Sequence, residues 1–98
     1  MPKLDKYLQV ACEIYHYNLK KEPINYRKLV NSMSWCMSEF DVSSALDTLT
    51  DWLIIQGEYG STGDGRACYL YTIDTHDGGD HRIEHLYEKY WKYERKNT

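Results

Sequence analysis

The chain has 98 residues and a net charge of −3, from 12 Lys and Arg against 15 Asp and Glu. That length suits one domain with one modest core. It holds no apolar run near the roughly 20 residues of a membrane span, and its amino end, MPKLDKYLQ, is charged where a secretory signal turns apolar, so a soluble, cytoplasmic protein is expected. Cys12, Cys36 and Cys68 are widely spaced and include no CxxC pair, which points to reduced thiols and away from a disulfide framework or zinc ribbon. The charge is uneven: residues 1–38 carry six cations against three acids, residues 39–80 carry Arg66 alone against nine, and residues 81–98 carry five against three.

In chain order, Leu4, Tyr7, Leu8, Ala11, Ile14 and Tyr15 recur at helical spacing and predict a first helix over 3–17, ended by Asn18 and the charged run before Pro23. Ile24 followed by the capping residue Asn25 opens a short second helix over 25–33, with Tyr26, Leu29, Val30 and Met33 on its apolar side. After a turn at 34–37, Ser38 and Asp41 make a variant capping box and start a third helix over 39–52. Spacing puts Val42, Ala45, Leu46, Leu49 and Trp52 on its buried face and Ser43, Ser44, Asp47, Thr48 and Asp51 outside. The helical period then breaks. Glycines at 57, 60, 63 and 65 and the alternating run at 67–73 predict a hairpin over 53–73. A polar loop with Gly78 and Gly79 leads to a last helix over 81–96, capped by Asp80, whose stripe is Ile83, Leu86, Tyr87, Tyr90 and Trp91. That stripe packs either in its own subunit or against a second copy. Its aromatic content, in a chain with ten tyrosines, favours the dimer.

The Ile24–Asn25 start of the second helix, VSSALDTLTDWLII at 42–55 and GRACYLYTI at 65–73, in this order of elements, resemble the winged helix-turn-helix domains of small prokaryotic transcription regulators of the MarR, PadR and ArsR kind. The resemblance covers most of the chain. It implies an α+β fold with a three-helix core, a β-hairpin wing and an extra C-terminal helix, acting as a dimeric regulator that binds double-stranded DNA without enzymatic activity or cofactor. The third helix would lie in the major groove, with Ser43, Ser44, Asp47 and Thr48 toward the bases and Arg66 at the wing. Lys20, Lys21, Arg27 and Lys28 would supply the cations near the phosphates. Leu4, Tyr7, Ile83, Leu86, Tyr87, Tyr90 and Trp91 would build a two-fold dimer from the terminal helices. The recognition helix carries Asp47 and Asp51 but no Lys or Arg. A second reading therefore stands beside the first: a winged-helix interaction module whose acidic helix and wing meet a basic protein.

Other chemistry is thinner. Asp74, His76, His85 and Glu88 resemble the two halves of the zinc-sensing site of ArsR-type repressors, but the histidines are closer together and Gly78 and Gly79 separate the first half from the helix, so a solvated, capped loop is expected. Cys12 and His16 lie one helical turn apart without an orienting group, and read as a core cysteine and a surface histidine. Lys89, Lys92, Arg95 and Lys96 with Glu84, Glu88 and Glu94 read as a solvated face.

Overall fold

The computed structural model describes residues 4–61, 67–73 and 79–96. Three helices come first: α1 (Lys6–Leu19), α2 (Tyr26–Met33) and α3 (Glu39–Asp51). The hairpin strands β1 (Ile55–Ser61) and β2 (Ala67–Ile73) follow. The last helix comprises α4 (Gly79–Leu86), one π turn (Tyr87–Trp91) and α5 (Lys92–Lys96). It begins two residues before His81, so Asp80 lies inside its first turn and not ahead of it.

The helix ends show how local chemistry sets these limits. Asn25 caps α2 by accepting the Lys28 N–H at 2.8 Å. At α3 both halves of the capping box form: Ser38 Oγ accepts the Asp41 N–H at 3.2 Å, and Asp41 Oδ2 accepts the Ser38 N–H at 3.3 Å. Two helices close with the same reciprocal pair of C-terminal bonds. After α1, Lys21 N–H donates to the Asn18 carbonyl and Glu22 N–H to that of Tyr17. After α3, Leu53 N–H donates to Thr50 and Ile54 N–H to Leu49. Each closure needs a left-handed residue, and Lys21 (φ 59°) and Leu53 (φ 57°) occupy the positions that glycine usually fills.

This closure corrects the placement of Trp52. The residue is the C-cap of α3, beyond the helical register, and 58% of it is exposed. Its ring meets the edge of Tyr7 at 5.0 Å between centroids instead of entering the core.

α1 is the central element. It packs against α3, β2 and the last helix, and every residue from Leu8 to Ile14 is buried, so one apolar stripe understates its burial. Val10, Ala11, Cys12 and Ile14 join Ile24, Leu29, Met33, Val42, Leu49, Ile55 and Ile73 in the core. Ile83, Tyr87 and Trp91 close it from the other side. Their four-residue spacing would drift around a regular α-helix, and the wider π turn reduces that drift.

The hairpin is antiparallel, with Ile55 opposite Ile73, Gly57 opposite Tyr71 and Tyr59 opposite Tyr69. Its base is tied to the rest of the fold. Asn18 Oδ1 accepts the Ile73 N–H at 3.0 Å, and Tyr71 N–H donates to the Ile24 carbonyl at 3.0 Å. The isolated bridge between Asn25 and Leu70 extends that link. The α1–α2 connection thus fixes where the hairpin leaves the core.

Candidate nucleic-acid interface

α2, the turn at 34–37 and α3 form a helix-turn-helix, and the hairpin follows directly. α3 buries Val42, Ala45, Leu46 and Leu49 and leaves Ser44 and Asp47 exposed, with Ser43 and Thr48 half-buried at the edges. Thr48 donates its hydroxyl hydrogen to the Ser44 carbonyl at 3.2 Å, so only its oxygen lone pairs are spare. Phe40, at the first turn, is 78% exposed.

The same face continues onto α2 and the hairpin. Tyr26 lies beside Glu39 and Ser43; desolvation and the Glu39 carboxylate push its phenol above the ordinary value. Burial, then the neighbouring Tyr69, Tyr26 and Asp47, push up the phenol of Tyr71. Tyr59 and Tyr69 stand edge to face at 5.4 Å, and Tyr69 meets Tyr71 at 5.7 Å. Gly57 makes room for this ladder. A Cβ there would lie 2.2 Å from Tyr69 Cε1, inside the ring's contact radius. Tyr59 is 81% exposed and forms the outer part of the ladder.

Of the cations expected at phosphates, Lys20, Lys21 and Arg27 are exposed and Lys28 is half-buried. Arg27 Nη1 pairs with Glu39 at 3.2 Å, and Lys28 Nζ lies 3.8 Å from Glu22 and 4.9 Å from the centre of the Tyr17 ring. Lys6, missed in the sequence, pairs with Asp41 at 3.1 Å across a hollow of about 190 Å³ between α1 and α3. Lys6 and the capping bonds hold the Asp41 carboxyl below its ordinary value. These pairs are exposed and screened by water, so exchanging a carboxylate for a phosphate costs little. Phe40, Tyr26, Tyr59 and Tyr69 were also missed. Their residue types signal burial in a sequence, and only the three-dimensional arrangement exposes Phe40, Tyr59 and Tyr69 and leaves Tyr26 half-buried at the edge of the face.

Arg66, Asp74 and His76 lie outside the described residues. His85 and Glu88 are exposed, Glu88 pairs with Lys92 at 2.6 Å, and no cluster able to hold a metal occurs among the described residues.

The expected dimer residues divide. Ile83, Tyr87 and Trp91 are buried in their own chain at 1%, 8% and 0% exposure, which corrects their assignment to a partner subunit. The reason is a polar seam on α1. Trp91 Nε1–H donates to Glu13 at 3.0 Å, and His16 Nδ1 shares a 2.7 Å hydrogen bond with the Tyr87 hydroxyl. Leu4, Tyr7, Leu86 and Tyr90 are half-buried at the surface.

His16 is consequently buried, not a surface histidine, and burial followed by the Arg95 charge holds its pKa below 6.5. Arg95 leaves the expected solvated face and forks onto Glu13, with Nε to Oε1 at 2.8 Å and Nη2 to Oε2 at 3.1 Å. Burial alone would raise the Glu13 pKa. Hydrogen bonds from Arg95, Ser32 and Trp91, with the Arg95 charge, outweigh it and hold the carboxyl below 4.5. The Cys12 thiol is pushed up to about 12 by burial and by Glu13, so it stays protonated and inert.

No protein-family model and no curated protein matches this sequence. Among solved structures, the chain is similar to Pex from Synechococcus sp., with a TM-score of 0.59 and 24% identity over 92% of this chain and 82% of that one. It is also similar to the circadian clock associated protein Pex from Anabaena, with a TM-score of 0.65 and 19% identity over 96% of this chain and 84% of that one. At these identities the likeness is one of fold. The fold is α+β and winged-helix-like, four helices with a two-stranded antiparallel hairpin. No helix among the described residues is long and apolar enough to cross a membrane.

Proposed function

We propose that the protein is a transcription regulator that binds double-stranded DNA as a homodimer in the cytoplasm, by contact alone and without catalysis. The supporting observation is the uncovered outer side of α3, set between α2 and a hairpin whose base is hydrogen-bonded to the α1–α2 connection. On this reading α3 enters the major groove. Ser43 and Ser44 offer hydroxyls to base edges, Thr48 offers an acceptor, and Asp47 accepts from cytosine N4 amino groups. Arg27, Lys28, Lys20 and Lys21 exchange carboxylate partners or water for phosphate, and Arg66 at the wing reaches the flanking groove. Leu4 and Tyr7 with Leu86 and Tyr90 remain the surface for a second copy, and symmetry then sets two α3 helices one DNA turn apart.

The test is selection of binding sites from random duplexes. Asp47→Asn and Ser44→Ala are expected to change the selected sequence, whereas Arg27→Ala weakens binding to all sequences alike. Selection that returns no enriched sequence contradicts the reading.

One observation favours a different partner. Glu39, Asp41, Asp47 and Asp51 make α3 uniformly acidic, beside an exposed tyrosine ladder. A basic protein segment, with Arg or Lys over the tyrosine rings, fits that surface. DNA binding and this reading separate by the effect of the same Asp47→Asn change, which shifts the preferred DNA sequence without lowering affinity for random duplex but weakens a basic partner.

A further inference from the structure

Among the described residues, the last helix meets the helix-turn-helix through the buried Glu13 and through the buried Trp91. Glu13, on α1, is 1% exposed and lies between the last helix and α2. Its Oε1 accepts from Trp91 Nε1 and Arg95 Nε, and its Oε2 accepts from Arg95 Nη2. The same Oε2 accepts the hydroxyl of Ser32, which belongs to α2. Ser32 Oγ in turn accepts from the Tyr17 hydroxyl at 3.2 Å. The second contact is aromatic. Trp35, in the turn between α2 and α3, stacks on Trp91 with 5.6 Å between centroids and 27° between planes.

We propose that Glu13 is a positioning residue that couples the seating of the last helix to the placement of α2. With the last helix seated, Arg95 and Trp91 satisfy and orient the carboxylate, so that Oε2 faces Ser32. When that helix lifts, the carboxylate keeps only Ser32. A buried charge without its counter-ion turns toward water, and α2 loses its inward bond as Trp35 loses its stacking partner. Whatever loads the outer side of the last helix thereby reaches α2, with a second copy at Leu86 and Tyr90 as the proposed load. The consequence for DNA rests on the function proposed above, but the coupling itself does not.

Native-state amide exchange measures the coupling in the full chain without DNA. Arg95 lies at the far end of the last helix, on another element from α2, and the contacts above link them through Glu13. In Arg95→Gln, exchange is expected to rise at least about tenfold at 83–95 and also at 29–33 of α2, while 43–49 of α3 and 55–59 of β1 keep their protection. Arg95→Lys keeps the charge but loses the fork, and is expected to give the same pattern at smaller amplitude; it also carries the test if Arg95→Gln fails to fold. Lys92→Ala, which removes the surface pair with Glu88 and the contact with the Tyr93 ring, leaves α2 unchanged. Opening of the last helix with α2 unaffected overturns the proposal. So does equal acceleration in all helices, which would mark a general loss of stability. A protein that binds no DNA but shows the directed pattern refutes the DNA reading and retains the coupling.

Discussion

Along the seam between α1 and the last helix, large side chains are buried and buried polar groups are paired. On the outer side of α3 and the hairpin, large side chains stand in water. Glu13, His16, Tyr87 and Trp91 are hidden and hydrogen-bonded to one another's elements, whereas Phe40, Tyr59 and Tyr69 are exposed and the acids of α3 lie at the surface. The two regions divide the work of the molecule. The seam fixes the position of the helices, and its buried ionic network costs far more to break than it contributes over an apolar replacement. The open face contributes little to folding, which leaves its residue choice to binding.

The largest effect that tests this contrast is Glu13→Ala, which removes the carboxylate that accepts from Arg95, Ser32 and the Trp91 N–H. It is expected to cost about 3–5 kcal/mol in urea denaturation. Phe40→Ser on the open face is expected to stay within about 0.5 kcal/mol. Comparable losses from the two changes would erase the distinction.

The seam also predicts a pH dependence with an upper stage that the open face lacks, because the carboxyl held low on the open face, that of Asp41, acts only in the acid range. His16 and Glu13 both have folded pKa values below their ordinary 6.5 and 4.5. In each case the unfolded chain takes up its proton first. Stability is therefore fully present above pH 6.5, falls as His16 of the unfolded chain titrates, and falls again below 4.5 toward the folded pKa of Glu13. The urea midpoint is expected to decline in these two stages. Glu13→Gln shrinks the lower stage to the contribution of Asp41, and His16→Gln removes the upper one.

A smaller effect of opposite sign comes from the end of α3. Leu53 pays for a left-handed backbone while remaining 74% exposed. Leu53→Gly is expected to stabilise the fold by about 0.5–1 kcal/mol, read from the shift in thermal midpoint. A loss of stability would mean that the leucine contributes packing beyond its exposed surface.

Much of the architecture was legible because its signals are local. Asn25, Ser38 and Asp41 announce helix starts with the very groups that make the capping bonds. The alternation at 69–73 marks a strand whose Ile73 is buried, with Tyr69 more exposed than Tyr71. What was illegible depends on partners distant in sequence. Glu13 and Arg95 are 82 positions apart, and each alone looks like an ordinary surface charge. The burial of His16 depends on Tyr87, 71 residues later. Helical periodicity points Trp52 inward, but it does not reveal that the helix ends one residue before it. For the candidate site, Ser44 and Asp47 follow from helical spacing. The tyrosine face and Lys6 require knowing how the hairpin and α1 lie against α3.

The most direct test of the account is the binding of the purified protein to labelled duplex DNA by fluorescence anisotropy across a salt series. Binding tighter than about micromolar near physiological salt is expected, with log affinity falling linearly in log salt by about 0.9 for each phosphate neutralised. In Arg27→Ala that slope is expected to become shallower by about one phosphate per subunit. No binding even at low salt, or binding with no salt slope, would contradict DNA as the partner of this surface.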